Sequence, residues 1–213
     1  MKRSDNMIIK VLQVGMIGTN CFIVGCSKTK EAMIIDPGDE GEKIMDVVKK
    51  SGLKVASIVN THGHWDHIGA NQKIKELTGA PLMIHEKDAA FLTDGKLNMA
   101  SFMRDEGKGP AADIILKEGD EIKVGQLVFK ILHTPGHTPG GISLVGDKVV
   151  FVGDTLFLGS IGRTDLPGGD FKALIESIKE KLLPLDDDFL VCPGHGPETS
   201  IGKEKKSNPF LIQ

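Results

Sequence analysis

From Met7 to Val14 the chain reads MIIKVLQV, and CFIVG (21–25) and AMIID (32–36) follow as further short β-branched runs, each closed by glycine or a turn residue. Such bounded apolar runs predict strands. Between Asp39 and Lys50 the period changes: Ile44, Val47 and Val48 share one helical face, and Gly52 stands where a left-handed stop would end it. VASIVN (55–60) returns to a strand pattern and runs directly into THGHWDH (61–67). Ile68 to Thr78 then predicts a helix closed by Gly79, PLMIH (81–85) a strand, and EKDAAFL (86–92) a short helix. Residues 94–110 are polar, contain glycine and follow neither period, which fits a lid or a helical insertion. The second half begins again with strands, at DIIL, EIKV, LVFKIL, ISLVG and KVVFVG. Asp170 reads as an N-cap, followed by a helix that buries Phe171, Leu174, Ile175, Ile178 and Leu182, and DFLVCPG is a last strand. Strands first and helix after, in both halves, fit two sheets with helices outside them.

Composition narrows the function classes. A chain of 213 residues, 40% hydrophobic, can bury one substantial core, so residues 1–213 are expected to form a single domain. A formal charge of −3 leaves no electrostatic footprint for nucleic acid or an anionic membrane, which favours small-molecule partners. No run approaches the roughly eighteen apolar residues of a membrane span, and MKRSDN leads into IIKVLQV rather than a signal-peptide core, so a cytoplasmic location is expected. Cys21 and Cys26, five apart on one strand, face opposite sides and should stay reduced; Cys192 reads as a buried strand residue rather than a nucleophile.

THGHWDH spends three of the seven histidines, with an aspartate, on seven positions. Imidazole and carboxylate are the usual nitrogen and oxygen ligands of a divalent metal, and a loop at a strand end can turn alternate side chains inward. His62 and His64 share a side, and Asp66 and His67 extend the set beyond what one tetrahedral ion needs. His137 in HTPGHTPGG, Asp154 in FVGDTLF and His195 in CPGHGP each follow a strand-like run and are flanked by glycine or proline. Alone, each reads as a hydrogen-bonded turn residue; beside the cluster, four strand ends converging on one edge becomes the better reading. His85 and His133 lack that context and read as histidines packed behind the site or in the core. Trp65 is expected to pack the loop against the helix after it. Asp36 suits a supporting hydrogen bond to the site and a plain turn equally well. Arg163, on a glycine-flanked loop after Asp154, suits a grip on a substrate carboxylate or a salt bridge to Asp165 or Asp170. GKEKK (202–206) reads as a solvated face.

THGHWDH with His137, Asp154 and His195 resembles the HxHxDH…H…D…H signature of the metallo-β-lactamase-fold hydrolases, in order and over nearly the whole chain. GDTLFLGSIGRTDLPGGD and CPGHGPETSIGKEKKSNPF are similar to the short bacterial type II glyoxalase-like branch, the hydroxyacylglutathione hydrolases. The resemblance implies an α/β fold, an αββα four-layer sandwich of two mixed β-sheets flanked by helices, with a dinuclear site at one edge. It implies two divalent metal ions, zinc first and iron or manganese as alternatives: His62, His64 and His137 on one, Asp66, His67 and His195 on the other, Asp154 bridging. It further implies a thioesterase acting through a metal-bridging hydroxide, with Asp66 and Asp154 as catalytic groups and a small-molecule thioester, of which a glutathione thioester is one candidate, as substrate. Lactamases of this fold commonly place a cysteine where Asp154 stands, which disfavours antibiotic hydrolysis. The absence of tyrosine departs from full-length glyoxalase II and from tyrosine-assisted lactonases, and the roughly twenty residues after His195 are too few for a glutathione-binding helical domain. Persulfide dioxygenases, in which two histidines and an aspartate hold one iron, share His62, His137, Asp154 and the GRTD segment, and stand as the alternative. A non-catalytic relic of the fold should have lost ligands, and all seven are present.

Overall fold

The computed structural model describes residues 6–103 and 107–212, so residues 1–5 of the MKRSDN lead and 104–106 of the unassigned 94–110 stretch lie outside the described residues. The first sheet is formed by β1 (Met7–Val14), β2 (Thr19–Cys26), β3 (Glu31–Ile35), β4 (Lys54–Val59), β5 (Leu82–His85) and β6 (Ile114–Leu116), side by side in chain order. β1 to β3 pair antiparallel and β3 to β6 parallel. The parallel part needs crossovers, supplied by α1 (Gly41–Lys50), then α2 (Trp65–Ile68) with α3 (Asn71–Thr78), and then a 3₁₀ turn over Glu86–Leu92. The second sheet takes β7 (Glu121–Val124), β8 (Leu127–His133), β9 (Ile142–Val145) and β10 (Val149–Gly153) as an antiparallel meander. A small hairpin, β11 (Leu156–Phe157) with β12 (Ser160–Ile161), and α4 (Phe171–Ser177) lead to β13 (Leu190–Pro193), which runs parallel to β10, and to β14 (Thr199–Ser200) and α5 (Ile201–Ser207).

Both sheets are therefore mixed, and three apolar layers bind four. Ile44, Val48, Ile74 and Leu92 pack against one face of the first sheet. Val24, Met33, Phe129 and Phe151 fill the space between the sheets, and Leu174, Ile178, Leu182 and Ile201 cover the outer face of the second. Cys21 lies in the first layer and Cys26 in the second, so the two thiols do face opposite sides of β2; all three cysteines are buried and outside any disulfide. No helix among the described residues is long and apolar enough to cross a membrane.

Several local expectations are corrected. The helix expected from Ile68 starts at Asn71, because the Ala70 amide donates to the Pro37 carbonyl (2.9 Å) and so the chain kinks between α2 and α3. Asp170 does cap α4, accepting the Ala173 amide at 3.0 Å, but Phe171 is 53% exposed and leaves the buried stripe. A π-helical turn over Ile178–Leu182 rephases the rest of that stripe. GKEKK is helical: Lys203 and Lys206 face solvent, whereas Glu204 is fully buried and binds the Thr199 hydroxyl and the Gly159 amide.

Candidate metal centre

All seven candidate ligands follow strand ends on one edge: the 61–67 loop after β4, His137 after β8, Asp154 after β10 and His195 after β13. Parallel pairing of β3 with β4 and of β10 with β13 points those ends the same way. Among the described residues three overlapping groups of donor atoms result, each within 4.8 Å of one another: His62, His64 and His137; Asp66, His67 and His195; and Asp36, His62 and His67, in which Asp36 already accepts from His67 Nδ1. Within the first, His64 Nδ1 and His137 Nε2 are 2.9 Å apart; within the second, His195 Nε2 lies 3.1 Å from Asp66 Oδ2 and 3.3 Å from His67 Nε2. Asp154 stands between them, with Oδ2 3.5 Å from His137 Nε2 and 3.6 Å from His195 Nε2, and Oδ1 3.5 Å from His67 Nε2.

Supporting hydrogen bonds fix which nitrogen of three of the imidazoles faces the centre. A carbonyl can only accept, so His137 donates from Nδ1 to the Arg163 carbonyl (2.7 Å), leaving the Nε2 lone pair facing the centre. His67 donates from Nδ1 to Asp36 Oδ2 (3.0 Å) with the same effect. The Thr61 hydroxyl donates to Asp36 Oδ2 (2.6 Å), so it accepts from His62 Nδ1 (3.1 Å) and leaves His62 Nε2 bare. His62 Nε2, His64 Nε2 and Asp154 Oδ1 are buried without any hydrogen-bond partner. Orphaned buried polar atoms are costly and rare, and the orphans His62 Nε2 and Asp154 Oδ1 belong to donors aimed at one volume. The residues fit divalent cations.

The electrostatics divide the centre. Burial, reinforced by the crowding of neighbouring imidazoles, pushes His64 down to about 3 and holds His62 well below the usual histidine range. His62 and His64 are therefore neutral, lone-pair-bearing imidazoles. Burial opposes charge on His67 and Asp66 too, yet Asp66, Asp154 and Asp36 together hold the His67 proton, while His67 and the His195 hydrogen bond keep Asp66 far below the carboxylate range.

Asp36 is the supporting residue that the sequence left open between two roles. It is buried, takes a left-handed backbone conformation at the end of β3 (φ 51°), and accepts both the amide and hydroxyl of Thr61 besides His67. Thr19 and Asn20 had no sequence signal, since only strand pairing brings them here. The Thr19 hydroxyl donates to Asp66 Oδ2 (2.9 Å), and Thr19 forms an isolated bridge with His195. Asn20 donates from its amide to the Gly194 carbonyl and from Nδ2 to those of Pro193 and Gly196. His85 and His133 stay outside both donor groups, stacked on one another at 4.2 Å.

A cavity of about 560 Å³ opens over the centre, walled by Ile17, Trp65, Phe157, Ile161 and Leu166, with Arg163 at its rim. Arg163 is clasped by Asp165, Nε to Oδ1 at 2.8 Å and Nη2 to Oδ2 at 2.6 Å. Trp65 lines both this cavity and a smaller one of about 290 Å³ that reaches Gln72 and Asn98. Part of the unassigned 94–110 stretch closes that wall: Asn98 accepts the Trp65 amide through its carbonyl and ties down Phe91 and Gly107 through Nδ2.

Residues 14–195 match the metallo-beta-lactamase superfamily model. The hydroxyacylglutathione hydrolase GloC of Haemophilus influenzae is 39% identical over 216 residues, covering 96% of this chain and 98% of that protein. Among solved structures, the BLEG-1 B3 metallo-beta-lactamase superposes with a TM-score of 0.93 at 39% identity, over 97% of this chain and all (100%) of that one. TTHA1623 in a di-iron-bound form superposes with a TM-score of 0.85 at 38% identity, over 95% and 100%.

Proposed function

The chain belongs to the metallo-beta-lactamase superfamily and is a metal-dependent hydrolase, and on that premise we propose that it is a thioester hydrolase of the hydroxyacylglutathione hydrolase type, working at a dinuclear centre. The observation that carries the reading is the pair of donor groups with Asp154 between them under an apolar-walled cavity. His62, His64 and His137 would hold one divalent ion, Asp66, His67 and His195 the other, and Asp154 both; zinc suits these donors, and iron is supported by the di-iron relative. When bound, two such cations supply Lewis acidity, which lowers the pKa of water towards neutrality and polarises a carbonyl.

The chain's own groups supply orientation and exclusion. Asp66 Oδ2, fixed by the Thr19 hydroxyl, accepts a hydrogen bond from the attacking water and aims it at the thioester carbonyl carbon. Ile17, Trp65, Phe157 and Leu166 shed water around the acyl group. The Arg163 guanidinium, held only by an exposed pair with Asp165, exchanges that partner for a carboxylate on the thiol half of the substrate. The relationship to a B3 metallo-beta-lactamase gives a second reading, β-lactam hydrolysis at the same centre.

The deciding experiment is elemental analysis of natively purified protein together with turnover of S-lactoylglutathione, simple acyl thioesters, a chromogenic cephalosporin, and glutathione persulfide with oxygen uptake. About two metals per chain and oxygen-independent thioester cleavage are expected. Near one iron with oxygen uptake, or faster cephalosporin than thioester cleavage, would overturn the assignment.

A further inference from the structure

One buried carboxylate touches the ligand loops without belonging to them. Asp88, in the 3₁₀ turn Glu86–Leu92, is fully buried. Its Oδ2 accepts the Gly63 amide (3.0 Å) and the Thr138 hydroxyl (2.7 Å), and its Oδ1 accepts the Gly140 amide (2.6 Å). Gly63 lies between His62 and His64, and Thr138 follows His137. One side chain thus spans the two loops that carry the three imidazoles. Among the described residues no lysine or arginine forms an ion pair with it, and its hydrogen bonds come from backbone amides and a hydroxyl.

The contact is closed on both sides. A Cβ at Gly140 would sit 2.5 Å from the Asp88 nitrogen and 2.6 Å from its Oδ1, and a Cβ at Gly63 would run into Phe91 of the same turn. Each loop therefore presents glycine where it meets the turn. The other half of the centre has separate supports: Thr19 on Asp66, and Asp36 on His67 with Asn60 donating to the His67 carbonyl at 3.0 Å.

We propose that Asp88 is a positioning residue for the three-histidine half of the centre, setting the separation of the 61–67 and 134–141 loops so that His62, His64 and His137 face one ion. The proposal rests on the two-group reading of the centre. It predicts a selective effect, because removing Asp88's acceptors frees one half and leaves the supports of the other in place.

The test is chelator-competition titration of Zn²⁺ into metal-free wild-type protein, Asp88→Asn and Thr138→Val, with thermal unfolding alongside. In Asp88→Asn one of the two zinc equivalents should bind about ten- to a hundredfold more weakly, the usual size for loss of a group that orients a ligand, with the other essentially unchanged. Thr138→Val keeps the carboxylate and loses one of its three bonds, so the same equivalent should loosen by a smaller factor. Two equivalents weakened alike, or a lower melting temperature with both affinities intact, would overturn the proposal. Should Asp88→Asn not fold, Thr138→Val decides: selective loosening supports the clamp and its absence overturns it. A wild-type protein that takes up only one zinc ion would overturn the two-group reading itself, and the selectivity with it.

Discussion

His137 is anchored by the main chain of Arg163, Nδ1 to carbonyl oxygen at 2.7 Å, while the Arg163 side chain is held by Asp165. The residue therefore serves the centre through an atom that mutation does not remove. Both partners of the Arg163–Asp165 pair are more than half exposed, so the pair is weak and a substrate anion can displace it. Arg163→Ala should leave metal content unchanged and lower kcat/KM about ten- to a hundredfold for a thioester bearing a carboxylate, the order expected for one charge-assisted hydrogen bond. A neutral thioester should be nearly unaffected. Equal losses on both substrates, or loss of metal, would make Arg163 a loop-fixing residue only.

Asp154 is the side chain whose two oxygens reach both donor groups. Asp154→Ala should lose most bound metal and nearly all turnover, as should wild-type protein dialysed against a chelator, with activity returning on addition of zinc to the wild type alone. Elemental analysis with a thioester assay checks this. A variant retaining two metals and normal rates would refute the bridging role.

Gly194 precedes His195 where the last loop passes over Asp154. A Cβ there would collide with Asp154 Oδ1 and sit 2.6 Å from His67 Cε1. Gly194→Ala should fold, with overpacking strain of about 1–3 kcal/mol, yet lose about a hundredfold in turnover by displacing the centre. Unchanged turnover with unchanged metal content would show that the loop yields freely.

His85 gives a pH signature away from the ligands. Burial, then the stacked His133, lowers it from 6.5 to about 4, with Lys87 adding to the effect and Glu86 and Glu118 opposing it. Below pH 6.5 the unfolded chain takes up a proton there that the folded chain refuses until about pH 4, so stability falls as pH drops through that window and is flat above it. The stability difference between wild type and His85→Asn should shift against the wild type from pH 6.5 to 4. A difference independent of pH would remove His85 as its source.

The ligand-bearing strand ends were legible because each combines an apolar run with a glycine- or proline-flanked histidine or aspartate, a pattern that local sequence carries by itself. What failed to show depended on partners distant in the chain. Thr19 and Asp88 look like an ordinary strand start and a helix-turn acid until β-pairing and loop packing bring Asp66 and Gly63 to them. Trp65 lines two cavities, and the wall beside it is completed by Asn98, more than thirty residues on, whose carbonyl accepts the Trp65 amide. Phe171 matched the helical period, yet it sits in the first turn of α4, before the helix reaches the sheet. β11 and β12 are two residues each, too short for any period to register.

Asn20 grips Pro193 and Gly196 across 173 and 176 positions of sequence. Contacts so remote along the chain form late, since closing a long loop costs entropy before anything rewards it. His195 stands within this same stretch, between the two residues that Asn20 grips, and Thr19 forms an isolated bridge with it. The group of Asp66, His67 and His195 is thus drawn together by the step that joins the two ends of the fold, whereas His62, His64 and His137 span a shorter loop.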